Sequence, residues 1–145
     1  RTGGRTFEAA AFLRRAGADT AEVKKLFQND LEGTIAKYAI IQNAKLYREK
    51  IAIAVVDHTV GRIVAAQAAD ELLNIIGIDT SFVLYPDGER VIISARSMGD
   101  TNVQVILEKL GGGGNAAAAG GQISGKSLSQ VATELSHAID QYLEG

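Results

Sequence analysis

The chain has 145 residues, a formal net charge of −2 at pH 7 and a hydrophobic content of 46%, and it contains no cysteine. A chain of this length can bury a core without covalent cross-links. The missing cysteines exclude a disulfide framework, a thiol nucleophile and a thiolate metal site. No apolar run approaches the length of a membrane span, and no signal peptide is visible. Because the chain starts at Arg1 rather than Met, we expect it to be the C-terminal part of a longer protein.

The charge is unevenly distributed. Residues 1–50 carry ten Lys or Arg against six Asp or Glu, a net +4, whereas residues 51–145 carry five against eleven, a net −6. A weakly basic N-terminal third lacks the strongly basic stripe that is typical of nucleic-acid-binding domains. We therefore expect no binding to duplex nucleic acid. Binding of a small anionic ligand is compatible with this charge distribution.

Residues 1–49 are predicted to be a helical lead-in. Thr6 can cap a first helix that reaches Gly17, and Asp19 with Thr20 can cap a second. A third helical segment is expected over about 30–49, interrupted or merely weakened at Gly33.

The pattern changes to α/β after residue 50. The aliphatic run from Ile51 to Val56 predicts a central strand. A helix over about 60–76 follows, and Gly77 ends it. Two β-rich segments around the Pro86–Gly88 turn predict a hairpin over 80–96. In the helix over about 60–76, the residues expected to face inward are Ile63, Val64, Leu72 and Ile76.

The last third is predicted to hold a helix, a glycine-rich loop, a short strand over 121–124 and a terminal helix that starts near Ser127. The expected apolar stripe of that terminal helix is Leu128, Val131, Leu135, Ile139 and Leu143. The element order predicts an α/β fold, with a sheet flanked by helices and preceded by a helical segment.

Ser94 and Arg96 are the first candidate site residues. Side chains alternate along a strand, so these two share one face near the carboxyl end of the second hairpin strand. Open α/β sheets usually present ligand-binding groups there. The planar fork of Arg suits phosphate. The alternative is a solvated surface arginine.

The run from Gly111 to Gly121 is the second candidate, because glycines and alanines dominate it. If the preceding helix returns the chain to the sheet, this loop and Arg96 can meet at one place. Gly112, Gly113 and Gly114 would then offer backbone N–H groups, and Asn115 a polar tip. The alternatives are a flexible linker or close packing against a neighbouring element.

Other chemistry is not predicted. The two histidines, His58 and His137, lack the spacing of a metal site, and isolated Asp57 and Asp100 suit helix starts. No catalytic triad or carboxylate pair is present in the sequence. We therefore expect neither a catalytic residue nor a metal ligand in this chain.

These motifs resemble a known family. The run from Gly111 to Gly120 resembles the Gly-Gly-Gly-Gly-His-x-x-Ala-Ala-Gly signature of the DHHA1 domain, the substrate-binding C-terminal half of DHH-family phosphoesterases. Ser94-Ala-Arg96-Ser97 is similar to the family's Ser-x-Arg-Ser segment, which adds Ser97 to the candidate site. The lead-in, from Thr2 to Asp19, is similar to that of GdpP-type cyclic-di-AMP phosphodiesterases.

The resemblance implies a DHHA1-type mixed sheet of about four or five strands over 50–145, preceded by the lead-in over 1–49. It implies an N-terminal DHH lobe in the same polypeptide, missing from this sequence, that binds two Mn²⁺ ions and cuts the phosphodiester. This chain would then bind a cyclic or linear dinucleotide without hydrolysing it. The parent protein would lie at the cytoplasmic face of the membrane, anchored by N-terminal helices that this sequence does not contain.

The sequence departs from the signature at Asn115, where the family has His. Asn can donate a hydrogen bond to phosphate but carries no positive charge. If the His acts as a charged clamp, its replacement costs about 1–2 kcal/mol of binding. If it acts only as a neutral donor, Asn is a tolerable substitute.

Other functions are weighed against this hypothesis. Within the same superfamily, an oligoribonuclease or a phosphatase of 3′-phosphoadenosine 5′-phosphate (pAp) is an alternative. A non-catalytic nucleic-acid module, like the tail of alanyl-tRNA synthetases, is a second, although Gly111–Gly121 does not match the loop of those tails. A third is an oligomerisation domain whose small-residue loop packs against a partner. Under this alternative the partner can be a second copy of the chain, in a homodimer.

Overall fold

The computed structural model describes residues 20–145. The chain divides into two compact units, with the boundary between Ala36 and Lys37. The second unit, Lys37 to Gly145, contains the whole sheet and three of the four helices described below. The helix predicted between Thr6 and Gly17 lies outside the described residues.

Helix α1 (Thr20–Gln42) is continuous and replaces the two helices predicted from residue 20 onward. No break occurs at Gly33, where an added Cβ would meet nothing within 4 Å. The prediction of helix up to residue 49 was wrong. Residues 44–47 instead form strand β1, whose backbone pairs with a strand further along the chain. Such pairing overrides local helix preference and is invisible to local periodicity.

The sheet has six strands in the order β1-β2-β3-β4-β6-β5. Only β2 and β3 pair in parallel, so the predicted mixed sheet is confirmed. The count exceeds the expected four or five because both edges carry very short strands, β1 and β5. The strands are β1 (Ala44–Tyr47), β2 (Ile51–Val55), β3 (Thr80–Asp87), β4 (Arg90–Ser97), β5 (Gly113–Gly114) and β6 (Ala118–Ser124).

A hydrophobic cluster lies on each face of this sheet. Helix α2 (Arg62–Leu72) and the last residues of α1 cover one face, together with side chains such as Val83 and Ile92. Helices α3 (Val103–Glu108) and α4 (Leu128–Glu144) cover the other, together with side chains such as Phe82 and Ile93. We call these the α2 face and the α4 face. Strand alternation thus sends Ile92, Ser94 and Arg96 to the α2 face, as predicted.

The inward face of α2 differs from the prediction. Ile63 and Ile76 are 73% and 100% exposed, whereas the buried positions are Ala65, Ala68, Ala69 and Leu72. Alanines allow the helix axis to approach the sheet closely, and Ile63 points away because it lies about 200° around the helix from Ala65. Ile76 lies beyond the helix, which ends at Leu72.

Helix α4 begins where the sequence predicted. Ser127 is its N-cap, and its hydroxyl accepts from the N–H of Gln130 while the Gln130 side chain accepts from the N–H of Ser127. This capping box satisfies two backbone donors at the helix start. The buried stripe includes Val131, Leu135 and Ile139, as expected, whereas Leu143 is exposed.

Candidate functional site

A cleft of about 590 Å³ opens on the α2 face, over the half of the sheet formed by β4, β6 and β5. This volume lies within the range of small-ligand sites. Opposite Ser94, β6 contributes Gly120, which has no side chain to fill the cleft. Helix α2 walls the cleft on one side, and the glycine run on the other. The lining residues are Arg62, Ala65, Ala66, Tyr85, Ile92, Ile93, Ser94, Arg96, Gly111, Gly112, Gly113, Ala119, Gly120, Gly121 and Gln122.

Arg96 lines the cleft and is held by several hydrogen bonds. Its Nε donates to Asp70 Oδ1 on α2 at 3.0 Å, and its Nη1 donates to the carbonyl oxygen of Ala95 at 2.9 Å. A longer contact of 3.5 Å joins Nη1 to Ser94 Oγ. The side chain is only 22% exposed. Within residues 20–145, Nη2 makes no hydrogen bond, so this end of the guanidinium is available to a ligand.

Ser94 and Ser97 lie on opposite faces of β4. Ser94 lines the cleft beside Arg96. Ser97 is buried on the other side, where its Oγ accepts from the N–H of Gly99 and its own N–H donates to the carbonyl oxygen of Ala117. The structure therefore brings Ser94 to the cleft and places Ser97 in the loop contacts at the end of the strand.

Much of the glycine run serves close backbone packing. Gly111 has a φ of +86° at the end of α3, and the N–H of Gly112 donates to the carbonyl oxygen of Leu107 at 2.8 Å. A Cβ on Gly112 would lie 2.4 Å from the carbonyl oxygen of Gly120. Gly113 and Gly114 form edge strand β5 against β6. The packing alternative thus explains part of the run, while Gly112 and Gly113 also line the cleft.

Asn115 turns its side chain back onto its own loop. Its Oδ1 accepts from the N–H groups of Ala117 and Ala118, both at 2.9 Å, and its own N–H donates to the carbonyl oxygen of Ala118. The residue is exposed and does not line the cleft. The amide oxygen thus holds the turn between β5 and β6, and its role toward a ligand stays a prediction.

Arg62, Tyr85 and Gln122 line the cleft but were not predicted from the sequence. Arg62 is the first residue of α2 and makes no ion pair within residues 20–145. Burial raises the pKa of the Tyr85 hydroxyl, and the Arg62 charge lowers it by less. Their sequence signals were weak: Arg62 follows Gly61 at a helix start after the first predicted strand, and Tyr85 looks like any core aromatic.

The described part of the chain offers no metal site. Across residues 20–145, no group of three or more His, Asp or Glu side chains is placed to hold a metal ion. His58 Nδ1 lies 3.2 Å from Asp57 Oδ1 in an exposed turn. The same residues contain no helix that is long and apolar enough to span a membrane.

Comparison with known proteins identifies a domain family and its relatives. The model of the DHHA1 domain family matches residues 48–145. The chain is 44% identical, over its whole length, to the cyclic-di-AMP phosphodiesterase GdpP of Bacillus subtilis and 40% identical to the cyclic-di-AMP phosphodiesterase PdeA of Listeria monocytogenes. It spans 23% and 22% of their lengths, less than a quarter of each.

A solved structure shares the fold at low identity. It is an exopolyphosphatase-related protein from Bacteroides fragilis, with a TM-score of 0.69 and 20% identity. The match covers 95% of this chain and 43% of the other.

Proposed function

Because the chain belongs to the DHHA1 domain family, we propose that it is the nucleotide-binding part of a phosphodiesterase that cleaves cyclic dinucleotides. The names of the GdpP and PdeA relatives support cyclic di-AMP as the substrate. The product would be linear di-adenylate. The chain spans less than a quarter of those relatives, so cleavage would depend on residues outside it.

We expect the remaining machinery to lie upstream in cis. A DHH lobe with two Mn²⁺ ions would supply the hydroxide that attacks phosphorus. The described residues hold no metal-ligand cluster, so their proposed role is to bind and orient the nucleotide. Membrane anchoring at the cytoplasmic face would likewise come from upstream segments.

The observation that carries this proposal is the pair of guanidinium groups, Arg62 and Arg96, lining one glycine-floored cleft. Arg96 presents its free Nη2 and Ser94 its hydroxyl, and both can donate to phosphate oxygens. Arg62 adds a second positive charge at the N-terminal end of α2. Two cations suit a ligand that carries two phosphates better than one that carries a single charge.

The uncovered half of the sheet also fits a two-lobed enzyme. Helix α2 packs on β3 and β4, and the cleft beside it lies open over β4 and β6. A second lobe that closes there would exclude water and strengthen each contact between guanidinium and phosphate. This closure would place the nucleotide between the phosphate-binding residues of this chain and the metals of the missing lobe.

Isothermal titration with cyclic di-adenylate, linear di-adenylate and pAp tests the proposal. We expect Arg96→Ala to weaken binding of linear di-adenylate at least about tenfold, because a charge-assisted contact is lost. Gly113→Val would narrow the cleft and also weaken binding. Arg48→Ala is the matched control, because Arg48 pairs with Asp140 and Glu144 outside the cleft.

Affinity retained in both Arg96→Ala and Gly113→Val would overturn the assignment of the cleft. Preference for pAp over both di-adenylates would instead support the pAp phosphatase alternative. The solution mass, measured with and without nucleotide, separates a homodimerisation role from ligand binding.

A further inference from the structure

We propose that Asp70 is a positioning residue that fixes the Arg96 guanidinium so that its free edge faces the cleft. The inference rests on the proposed function, in which Arg96 contacts phosphate. Asp70 is not among the residues lining the cleft, so it would act through Arg96.

The hydrogen bonds of Arg96 define its orientation. A free arginine on a strand samples many rotamers, and ordering it costs side-chain entropy. Here Nε is bound to Asp70 and Nη1 to the Ala95 carbonyl oxygen, so two of the three nitrogens are occupied. Both N–H groups of Nη2, which form no hydrogen bond within residues 20–145, then point in a fixed direction. The side-chain entropy of Arg96 is therefore lost on folding rather than on ligand binding.

The backbone that carries Asp70 is itself held in place. Ser81 lies directly opposite Arg96 in the β3–β4 register and is fully buried. Its hydroxyl donates at 2.6 Å to the carbonyl oxygen of Ala69, the residue before Asp70. The buried alanines of α2 keep this helix close to the sheet, so a side chain as short as Asp can reach Nε. The contact is therefore built into the packing of α2 on β3 and β4.

The negative charge of Asp70 and its positioning of Arg96 have opposite effects on nucleotide affinity. A carboxylate beside a phosphate site repels the anion, so its removal should tighten binding if charge were all that mattered. If orientation matters, removal should weaken binding. The sign of the change therefore separates the two roles.

The test titrates linear di-adenylate into the full 145-residue chain and three variants. We expect Asp70→Ala to weaken binding about tenfold. Asp70→Asn keeps an oxygen that accepts from Nε and should stay within about threefold of the wild type. Glu71→Ala is the control, because it removes the neighbouring carboxylate of α2, which pairs with Lys37 at 3.7 Å.

A second measurement reports the geometry without ligand. The Nε–Hε signal of Arg96 in nitrogen-15 NMR spectra, assigned through Arg96→Lys, should be sharp in the wild type and in Asp70→Asn. It should broaden by exchange with water in Asp70→Ala. Equal signals in all three proteins would overturn the proposed contact.

The outcomes separate this inference from the function on which it rests. If the wild type binds and both Asp70 variants bind equally or more tightly, positioning is refuted and nucleotide binding stands. If the wild type binds none of the nucleotides, the proposed function fails and the inference fails with it.

Discussion

Gly113 and Gly114 are neighbours in β5, yet the backbone requires glycine at only one of them. Gly114 has a φ of +146°, and its added Cβ would lie 2.5 Å from the carbonyl oxygen of Ala118. Around Gly113 nothing lies within 4 Å of an added Cβ. One position thus serves the fold, while the other faces the cleft and leaves space for a ligand.

Alanine at these two positions should separate fold from function. We expect Gly114→Ala to lower the free energy of unfolding by at least about 2 kcal/mol, through backbone strain and overlap. Gly113→Ala should change it by less than about 0.5 kcal/mol. Urea unfolding of both variants measures the difference, and equal stabilities would contradict the described packing of β5 on β6.

Asn115 offers a second test at the residue scale. Asn115→Ala removes an acceptor shared by two backbone N–H groups, so we expect it to destabilise the chain by about 1–2 kcal/mol. Asn115→Asp keeps that acceptor and should preserve stability. Thermal unfolding of the two variants checks this. An Asn115→Ala protein as stable as the wild type would show that these bonds contribute nothing.

At the scale of elements, the start of α4 depends on Ser127. Its capping box satisfies two backbone groups. We expect Ser127→Ala to lower the free energy of unfolding by about 1 kcal/mol. Ser129→Ala, two residues later in the same exposed helix turn, should have little effect. Chemical unfolding of the pair compares them, and equal losses would contradict a specific capping role.

Asp140 ties the end of α4 to the β1–β2 hairpin. Its Oδ1 accepts from the Tyr47 hydroxyl at 2.6 Å and from Arg48 Nε at 3.1 Å. The Tyr47 hydrogen bond is the largest cause that holds the pKa of Asp140 below its ordinary value of 3.8. Burial, the next largest, opposes it, and the hydrogen bond and charge of Arg48 lower the pKa further. The same contact with Asp140 raises the pKa of Tyr47 above its ordinary value of 10.0.

These shifts predict how stability depends on pH. The folded pKa of Asp140 is depressed, so its contribution is present above about pH 4 and is lost as the pH falls through the folded pKa. The folded pKa of Tyr47 is raised, so its contribution is present below about pH 10 and is lost above it.

Urea unfolding at pH 7 and pH 3 tests the acid side. Asp140→Asn should lose less stability between these pH values than the wild type does. Asp87→Asn, at the end of β3, serves as the control for removal of one carboxylate. An identical acid loss in the wild type and Asp140→Asn would refute the linkage.

At the scale of the whole molecule, the sequence predicted the elements that carry strong local signals. The aliphatic run at 51–56, the Pro86–Gly88 turn and the Ser127 cap each led to the observed element. Strands β1 and β5 were missed because only their pairing partners define them. The alanines of β6 give no alternating pattern, so that strand was predicted too short.

The candidate site was predicted in part for similar reasons. Strand alternation placed Ser94 and Arg96 together, and the structure brings Arg96 and Gly113 to one cleft as expected. The phosphate-binding roles of these residues stay predictions. Arg62 and Asp70 could not be identified, because their approach to β4 depends on how closely α2 packs on the sheet. The hydrogen bonds between Asn115 and its own turn could not be predicted from the sequence either.

The most direct test of the account is to map where a nucleotide binds. Nitrogen-15 NMR spectra of the whole chain, titrated with linear di-adenylate, report each backbone amide. We predict the largest shifts at Ser94, Arg96, Gly113 and Gly120, with Tyr47 and Asp140 unchanged. Shifts confined to the α4 face, or none at saturating nucleotide, would contradict the claim that this cleft holds the phosphates.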